Sequence, residues 1–281
     1  MPTPQSRRGT AHLHLRTLAA CAIALCLIST LAYGAVGDNL ASARYAEPVE
    51  RYGHFAPGRP HEYARVEAET TAGVKLTLTL PQDDVFEDVA PRLVRLTAAG
   101  PAFLLAIVSN RATGSALALL GADNGRLVMV ARSAPTGKAR RWLNPVGVAD
   151  LDGDGVSEIA AVLTPHIGGT LKVYRREGRI LKELAALPGF SNHIYGTPEL
   201  RLSAIATLGG RARLLVPDAA RTALRVVELR DGRLRETNRC PLSAPVTGPI
   251  VPTSDTEVLV TTQSGVQRLD PADCPPPGES K

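Results

Sequence analysis

The sequence predicts an all-β protein, and more closely a small β-propeller of four, or alternatively five, four-stranded blades. One observation is a polar turn with glycine that recurs at intervals of 53 and 54 residues, in Asn124-Gly125-Arg126-Leu127, Glu177-Gly178-Arg179-Ile180 and Asp231-Gly232-Arg233-Leu234. A second is the apolar, β-prone run before each turn, and a third is the lack of continuous amphipathic helical patterns. Polar-glycine turns between such runs are typical of antiparallel hairpins.

Each copy of the repeat contains four short strand-like runs. In the second copy they are residues 146–151, 159–163, 171–175 and 180–185. Repeats of this length with four strands per unit are typical of propeller blades. Two further predicted hairpins, 63–80 and 257–269, lie near the ends of the chain. We expect them to share one blade, so that strands from both termini close the ring and leave no open sheet edge.

Four segments are predicted. Residues 1–34 are a signal peptide, 35–61 an extended lead-in, 62–272 the β-propeller domain and 273–281 a Pro-rich tail. If residues 38–60 contribute strands, the count becomes five blades.

The signal peptide is predicted from an uncharged apolar run of 16 residues, 17–32, that follows Arg7, Arg8 and Arg16 and precedes Ala32-Tyr33-Gly34. Cleavage is expected after Gly34, which leaves no stable membrane span and a periplasmic or secreted protein. A retained N-terminal anchor and a lipid-modified Cys21 stay open as alternatives. The mature chain keeps Cys240 and Cys274, which are expected to form a disulfide in an oxidising compartment, with two free thiols as the alternative.

Composition limits the partners. Without the three leader arginines, 29 basic residues stand against 27 acidic ones, so the mature chain lacks the basic excess of a nucleic-acid binder. Aromatic residues make up only 4% of the chain, which argues against extended stacking platforms. The acidic segment 83–88 is interpreted as a solvated linker.

An acidic loop in the second copy is the main candidate site. Its carboxylates occupy positions 1, 3, 5 and 9 of the loop, at Asp150, Asp152, Asp154 and Glu158. No Lys or Arg occurs between Arg141 and Lys172, so the loop is expected to need a bound cation. Hard oxygen ligands favour Ca²⁺. The loop is not an EF-hand, because position 12 is Ala161 and the flanks are strand-like.

The run Asp150-Leu151-Asp152-Gly153-Asp154-Gly155, followed by Glu158-Ile159-Ala160-Ala161-Val162, resembles the calcium loop of FG-GAP or VCBS-type repeats, as in integrin α-subunit propellers and exported bacterial proteins. The resemblance implies one structural Ca²⁺. Its ligands would be the side chains of Asp150, Asp152, Asp154 and Glu158 and the backbone carbonyl of Val156. The first and third copies lack the carboxylates and are expected to be metal-free.

No catalytic constellation is evident, and the leading hypothesis is a non-enzymatic, monomeric binding or scaffolding module for an unknown protein or glycan ligand. The alternative is a propeller-fold hydrolase or lyase acting on an extracellular polymer. Convergence of His166, His193 and an acidic side chain on one cleft, with perturbed pKa values, would favour the alternative.

Overall fold

The structure, a computed structural model, describes residues 39–278. The predicted signal peptide and residues 279–281 of the predicted tail lie outside the described residues. The described part confirms the all-β class, because it contains nineteen strands and, as its one helical element, a short 3₁₀ turn at Pro271–Asp273. None of its elements is a helix long and apolar enough to cross a membrane.

The first group of strands comprises β1 (Leu40–Pro48), β2 (Tyr63–Thr70) and β3 (Lys75–Thr79). Strand β2 is central and pairs antiparallel with both neighbours. The short strand β4 (Asp84–Phe86) then joins β2 to the next group, because it pairs with β2 and with β6.

Three groups of four consecutive antiparallel strands follow, and they correspond to the three copies of the repeat. They are β5 to β8 (Arg92–Arg95, Ala102–Asn110, Gly114–Asp123, Arg126–Ser133), β9 to β12 (Leu143–Ala149, Glu158–Leu163, Gly169–Glu177, Ile180–Phe190) and β13 to β16 (Ala204–Leu208, Arg211–Pro217, Ala223–Arg230, Arg233–Pro241). The last group has three strands, β17 to β19 (Val246–Pro252, Val258–Thr262, Gly265–Leu269). A short parallel contact between β8 and β12 links the first two four-stranded groups, so that β1 to β12 form one sheet.

Two of the three repeated turns have the backbone that their sequences predict. At Asn124-Gly125 the φ angles are 49° and 71°, and at Asp231-Gly232 they are 53° and 68°. Two successive positive φ angles define the type I′ turn, whose twist matches that of the flanking strands and which favours Asn or Asp followed by Gly.

The expected sharing of one blade by the two chain ends is wrong within residues 39–278. The hairpin of β2 and β3 pairs with β1, the hairpin of β18 and β19 pairs with β17, and no ladder joins the two hairpins. The reason is that the segment 35–61, expected to be an extended lead-in, contains β1. Because Leu40 and Tyr45 of β1 bury their side chains in the first core, β2 already has its partner strand inside its own group.

The core lies between successive groups in four clusters. Side chains of β6 alternate between two of them, with Leu104 and Ala106 in the first cluster and Leu105 and Ile107 in the second. A strand that is buried on both faces reads as a continuous apolar run rather than an alternating one. The groups therefore stack face to face in chain order.

The C-terminal segment is fastened to the third four-stranded group. Cys240 at the end of β16 and Cys274 lie at disulfide-bonding distance, with the two sulfurs 2.06 Å apart, as the sequence predicts. The amide of Arg239 also donates to the carbonyl of Pro275 over 2.9 Å, and the side chain of Asn238 donates to the carbonyl of Cys274. The part of the predicted tail that the structure describes is therefore docked.

Candidate functional site

The acidic loop connects β9 to β10 and is organised by Asp150. One carboxylate oxygen of Asp150 accepts hydrogen bonds from the amides of Gly153 and Asp154, at 2.7 and 3.1 Å, and the other accepts from Gly155 at 2.8 Å. The φ angles of Gly153 and Gly155 are 87° and 89°, a conformation that glycine adopts without strain. The turn is thus wrapped around one carboxylate.

Glu158 closes the loop from the first position of β10. Its side chain is fully buried, and one carboxylate oxygen accepts the amide hydrogen of Leu151 over 2.9 Å. Burial raises the pKa of Glu158, while the Leu151 amide and a neighbouring arginine oppose that shift. One oxygen each of Asp150, Asp152 and Glu158 lie within 4.8 Å of one another.

Three of the five ligands predicted from the sequence therefore converge. Within the described residues this is the one group of three or more acidic, histidine or cysteine side chains close enough to hold a metal ion, and Asp154 lies outside it. Asp154 instead accepts the amide hydrogen of Val156 over 2.8 Å, which lowers the pKa of the Asp154 carboxyl with further help from Arg175. The role of the Val156 carbonyl as a ligand stays a prediction.

Arg175 supplies a counter-charge that the spacing of charged residues along the chain does not predict. Strand β11 pairs antiparallel with β10 so that Tyr174 lies opposite Ile159, and this register sets Arg175 beside Glu158. Its guanidinium donates to Asp154 at 2.7 Å, to Asp152 at 2.9 Å and to Glu158 at 2.8 Å. These bonds, the one to Glu158 foremost, raise the pKa of Arg175.

The expectation that the loop lacks a local positive charge is therefore wrong. Arg175 is only three residues beyond Lys172, but the antiparallel ladder rather than sequence proximity brings it to the loop. The donor set still suits a hard cation, because every converging ligand atom is a carboxylate oxygen.

A second cluster lies at the other end of β10 and consists of the rings of His54, His166 and His193, here called the histidine cluster. His166 lies in the loop from β10 to β11, His193 follows β12, and His54 lies between β1 and β2. The ring centroids of His166 and His193 are 6.1 Å apart, and those of His54 and His166 are 6.4 Å apart. Tyr195 flanks the cluster, with its ring centroid 5.2 Å from His166 and 5.7 Å from His54.

Buried carboxylates hold His54 in place. Glu62 accepts the backbone amide hydrogens of Gly53, His54 and Phe55 at 2.8 to 3.0 Å. Nδ1 of the His54 ring lies 2.7 Å from a carboxylate oxygen of Glu87, whose other oxygen accepts the hydroxyl of Ser109 at 2.6 Å. The side chain of Glu87 is fully buried.

The interpretation of residues 83–88 as a solvated linker is therefore wrong for Glu87 and Asp88. Both are fully buried, and Asp88 forms an ion pair with Arg92. The sequence contains no local signal for their burial, because their partners lie outside the segment. His54 precedes it and Arg92 follows it.

The rings of His166 and His193 are neutral at neutral pH. Burial is the main cause that lowers both pKa values to about 4, with positive charge on nearby groups adding to the shift. His166 and His193 are thus neighbours, and the pKa values of both are perturbed. The acidic partner in the cluster is Glu87, which contacts His54 rather than either of them.

No protein-family model matches the chain, and no curated protein matches it. Among solved structures, a protein described as a 6-phosphogluconolactonase from Bacteroides fragilis is similar to 76% of this chain, with 18% sequence identity and a TM-score of 0.40. The match spans 62% of that protein's length. A likeness this distant assigns no function to the chain.

Proposed function

We propose that the chain is an exported β-propeller that serves as a binding or scaffolding module for a protein or glycan and carries one structural Ca²⁺. The five successive antiparallel groups, stacked in chain order over four clusters, support five blades rather than four. A near-neutral mature chain is consistent with a partner other than nucleic acid.

The observation that carries the calcium proposal is the convergence of oxygens from Asp150, Asp152 and Glu158 within 4.8 Å. Bound Ca²⁺ would neutralise these carboxylates and crosslink the turn to β10. Asp150 shapes the loop through three backbone amides, and Glu158 presents a buried carboxylate from the sheet. The ligands are therefore held by the fold before any ion arrives, which reduces the ordering cost of binding.

Arg175 competes with the ion for the same carboxylates. It contacts Asp152 and Glu158, which are two of the three converging ligands. Binding of Ca²⁺ requires the guanidinium to give up part of these contacts, so the affinity is set by the difference between the two cations. We expect a dissociation constant at the weak end of protein calcium sites, about 10⁻⁴ to 10⁻³ M.

Thermal unfolding and calorimetry with Ca²⁺ and with chelator test this proposal. A free-ion concentration about 100 times the dissociation constant stabilises the fold by roughly 2.7 kcal/mol, which raises Tm by a few degrees. Asp152→Ala removes one ligand and should abolish the shift. Asp231→Asn is the matched control, because Asp231 is an exposed turn aspartate of the third copy and should leave the shift intact. Equal Tm values with Ca²⁺ and chelator, and no heat of binding, would refute the calcium site.

The histidine cluster favours a second candidate function, that of a hydrolase or lyase acting on an extracellular polymer. The pair of His54 and Glu87, with Nδ1 2.7 Å from the carboxylate, has the arrangement in which a carboxylate orients an imidazole base. Assays with chromogenic glycosides and esters test it, with His54→Gln compared with His61→Gln. Activity that survives His54→Gln, or no activity on any of these substrates, would leave the binding module as the proposal.

A further inference from the structure

Two buried ring nitrogens in the histidine cluster lack a partner. Within the described part of the chain, eight enclosed side-chain polar atoms have no hydrogen-bond partner, and Nδ1 of His166 and Nδ1 of His193 are two of them. These two atoms belong to neighbouring rings whose centroids are 6.1 Å apart. A buried polar atom without a partner is costly, so two on adjacent rings call for a physical reason.

The tautomer of His193 is fixed by its other nitrogen. Nε2 lies 2.9 Å from the carbonyl oxygen of Thr197, which can only accept a hydrogen bond, so Nε2 carries the proton. Nδ1 of this fully buried ring therefore presents an unshared electron pair. Metal-ligating histidines are held in this way, with one ring N–H donating to a carbonyl or carboxylate and the other nitrogen left to the ion.

We propose that Nδ1 of His166 and Nδ1 of His193 bind one transition-metal ion of the zinc class. Zinc–nitrogen bonds are about 2.0–2.1 Å and the coordination is tetrahedral, so two imidazoles that share an ion have ring centroids about 5 to 5.5 Å apart. The observed separation is 6.1 Å, so the two rings have to approach by less than about 1 Å when the ion binds. Imidazole nitrogen suits Zn²⁺, copper and nickel rather than Ca²⁺, so the site differs in chemistry from the acidic loop.

The third ring of the cluster lies beside this pair. Its centroid is 6.4 Å from that of His166, and its Nδ1 contacts Glu87, which leaves Nε2 for a ligand. The nitrogens of all three histidines are not within 4.8 Å of one another among the described residues, so His166 and His193 form the core of the site and water completes the coordination.

The charged groups around the pair set the affinity. Arg141 and Arg221 act on the two rings and disfavour a cation, whereas buried Glu87 and Glu62 beside His54 favour one. We therefore expect weaker binding than at a four-ligand structural zinc site. The proposal is independent of the calcium loop, which lies at the opposite end of β10, about 20 Å away along a strand of six residues.

Zn²⁺ alone is the probe. The full chain is stripped with chelator, supplied with excess Ca²⁺ to occupy the acidic loop, and titrated with Zn²⁺ against a zinc-indicator dye. One equivalent of Zn²⁺ should bind. His166→Ala and His193→Gln should each weaken binding about tenfold or more. His61→Ala is the matched control, because this histidine lies outside the cluster and contacts Tyr63. Substitution of Co²⁺ should give a visible spectrum that both cluster variants lose.

Three outcomes overturn the proposal: no Zn²⁺ bound by the folded chain, Zn²⁺ binding unchanged in His166→Ala, or equal loss in His61→Ala. If His193→Gln does not fold, His166→Ala decides alone, since His166 is only half-buried and lies in a loop. Asp152→Ala separates this site from the calcium proposal. It should abolish the Ca²⁺-dependent rise in Tm and leave the Zn²⁺ titration unchanged, so either site can fail without the other.

Discussion

The two ends of strand β10 differ in how far their buried and crowded polar groups have partners. At one end the carboxylates of the acidic loop are satisfied by backbone amides of their own turn and by a single guanidinium, that of Arg175. At the other end three histidine rings come from three separate segments, and two of them keep a buried nitrogen without a partner. The acidic end is thus complete without a ligand, whereas the histidine end is not.

The stability of the histidine end should therefore depend more on a ligand than that of the acidic end. A cluster whose charges are already balanced gains only the difference between two cations when an ion binds. A cluster with unpaired nitrogen lone pairs forms new metal–nitrogen bonds without giving up an existing contact. If the acidic loop binds Ca²⁺ as proposed, its stability should therefore depend less on the ion than the sequence alone predicts.

The largest expected effect is at the histidine end and concerns Glu87. Replacing Glu87→Leu leaves His54, the hydroxyl of Ser109 and the amide of Ala56 without their buried acceptor. Each orphaned buried donor costs about 1–3 kcal/mol, so the free energy of unfolding should fall by about 3–5 kcal/mol. Urea denaturation measures it.

The control for Glu87 is Glu183→Leu, an exposed glutamate that pairs with Lys172. Its loss should cost less than about 1 kcal/mol. If the Glu87 variant is as stable as this control, the buried carboxylate of Glu87 does not stabilise the histidine end.

The next effect is at the acidic end. Arg175→Gln, measured in chelator, removes the counter-charge from Asp152, Asp154 and the fully buried Glu158. The free energy of unfolding should fall by about 1–3 kcal/mol, because a buried carboxylate loses its charged partner. Excess Ca²⁺ should recover most of the loss, and the affinity for Ca²⁺ should rise because the competing cation is gone.

Lys182→Gln is the matched control for Arg175, since Lys182 is an exposed residue of the neighbouring strand that pairs with Glu177. It should change neither stability nor calcium affinity. Recovery by Ca²⁺ that is no greater for Arg175→Gln than for the natural sequence would show that arginine and ion do not share the site.

A pH effect separates the two ends further. In metal-free protein, burial lowers the pKa values of His166 and His193 to about 4, against about 6.5 in the unfolded chain. Below pH 6.5 the unfolded state binds protons that the folded state does not, so stability falls as the pH is lowered from about 6.5 towards 4. At pH 5 the loss should be about 1–2 kcal/mol per histidine.

Urea denaturation of chelator-treated protein between pH 7 and 5 measures this slope. His166→Gln should reduce it, whereas His61→Gln should change it less. This expectation does not depend on a bound ion, and a flat stability profile would show that the rings are not buried neutral.

The sequence predicts one end of β10 and not the other, for a physical reason. Asp150, Asp152 and Glu158 lie within nine consecutive residues, so their spacing alone places them in one loop. Turns such as Asp231-Gly232 are also local patterns, and their repetition predicts the four-stranded groups. His54 and His166 are 112 residues apart and meet only through the stacking of separate groups, which no local pattern encodes. The sequence does not predict strand β1, because the burial of its side chains alternates irregularly and depends on pairing with β2.

The smallest effect tests the balance within the acidic loop. The sequence alone predicts that Asp152→Ala leaves the calcium-free protein nearly as stable as before or slightly more so, because one repulsion between carboxylates disappears. The ion pair with Arg175 at 2.9 Å reverses that sign, and since both groups are partly exposed the loss should be below about 1 kcal/mol. Asp150→Ala should cost more, because three backbone amides lose their acceptor. Denaturation of both variants in chelator gives the order. If Asp152→Ala is instead more stable than the natural sequence in chelator, repulsion among the carboxylates outweighs the attraction to Arg175, and the acidic end needs a bound cation after all.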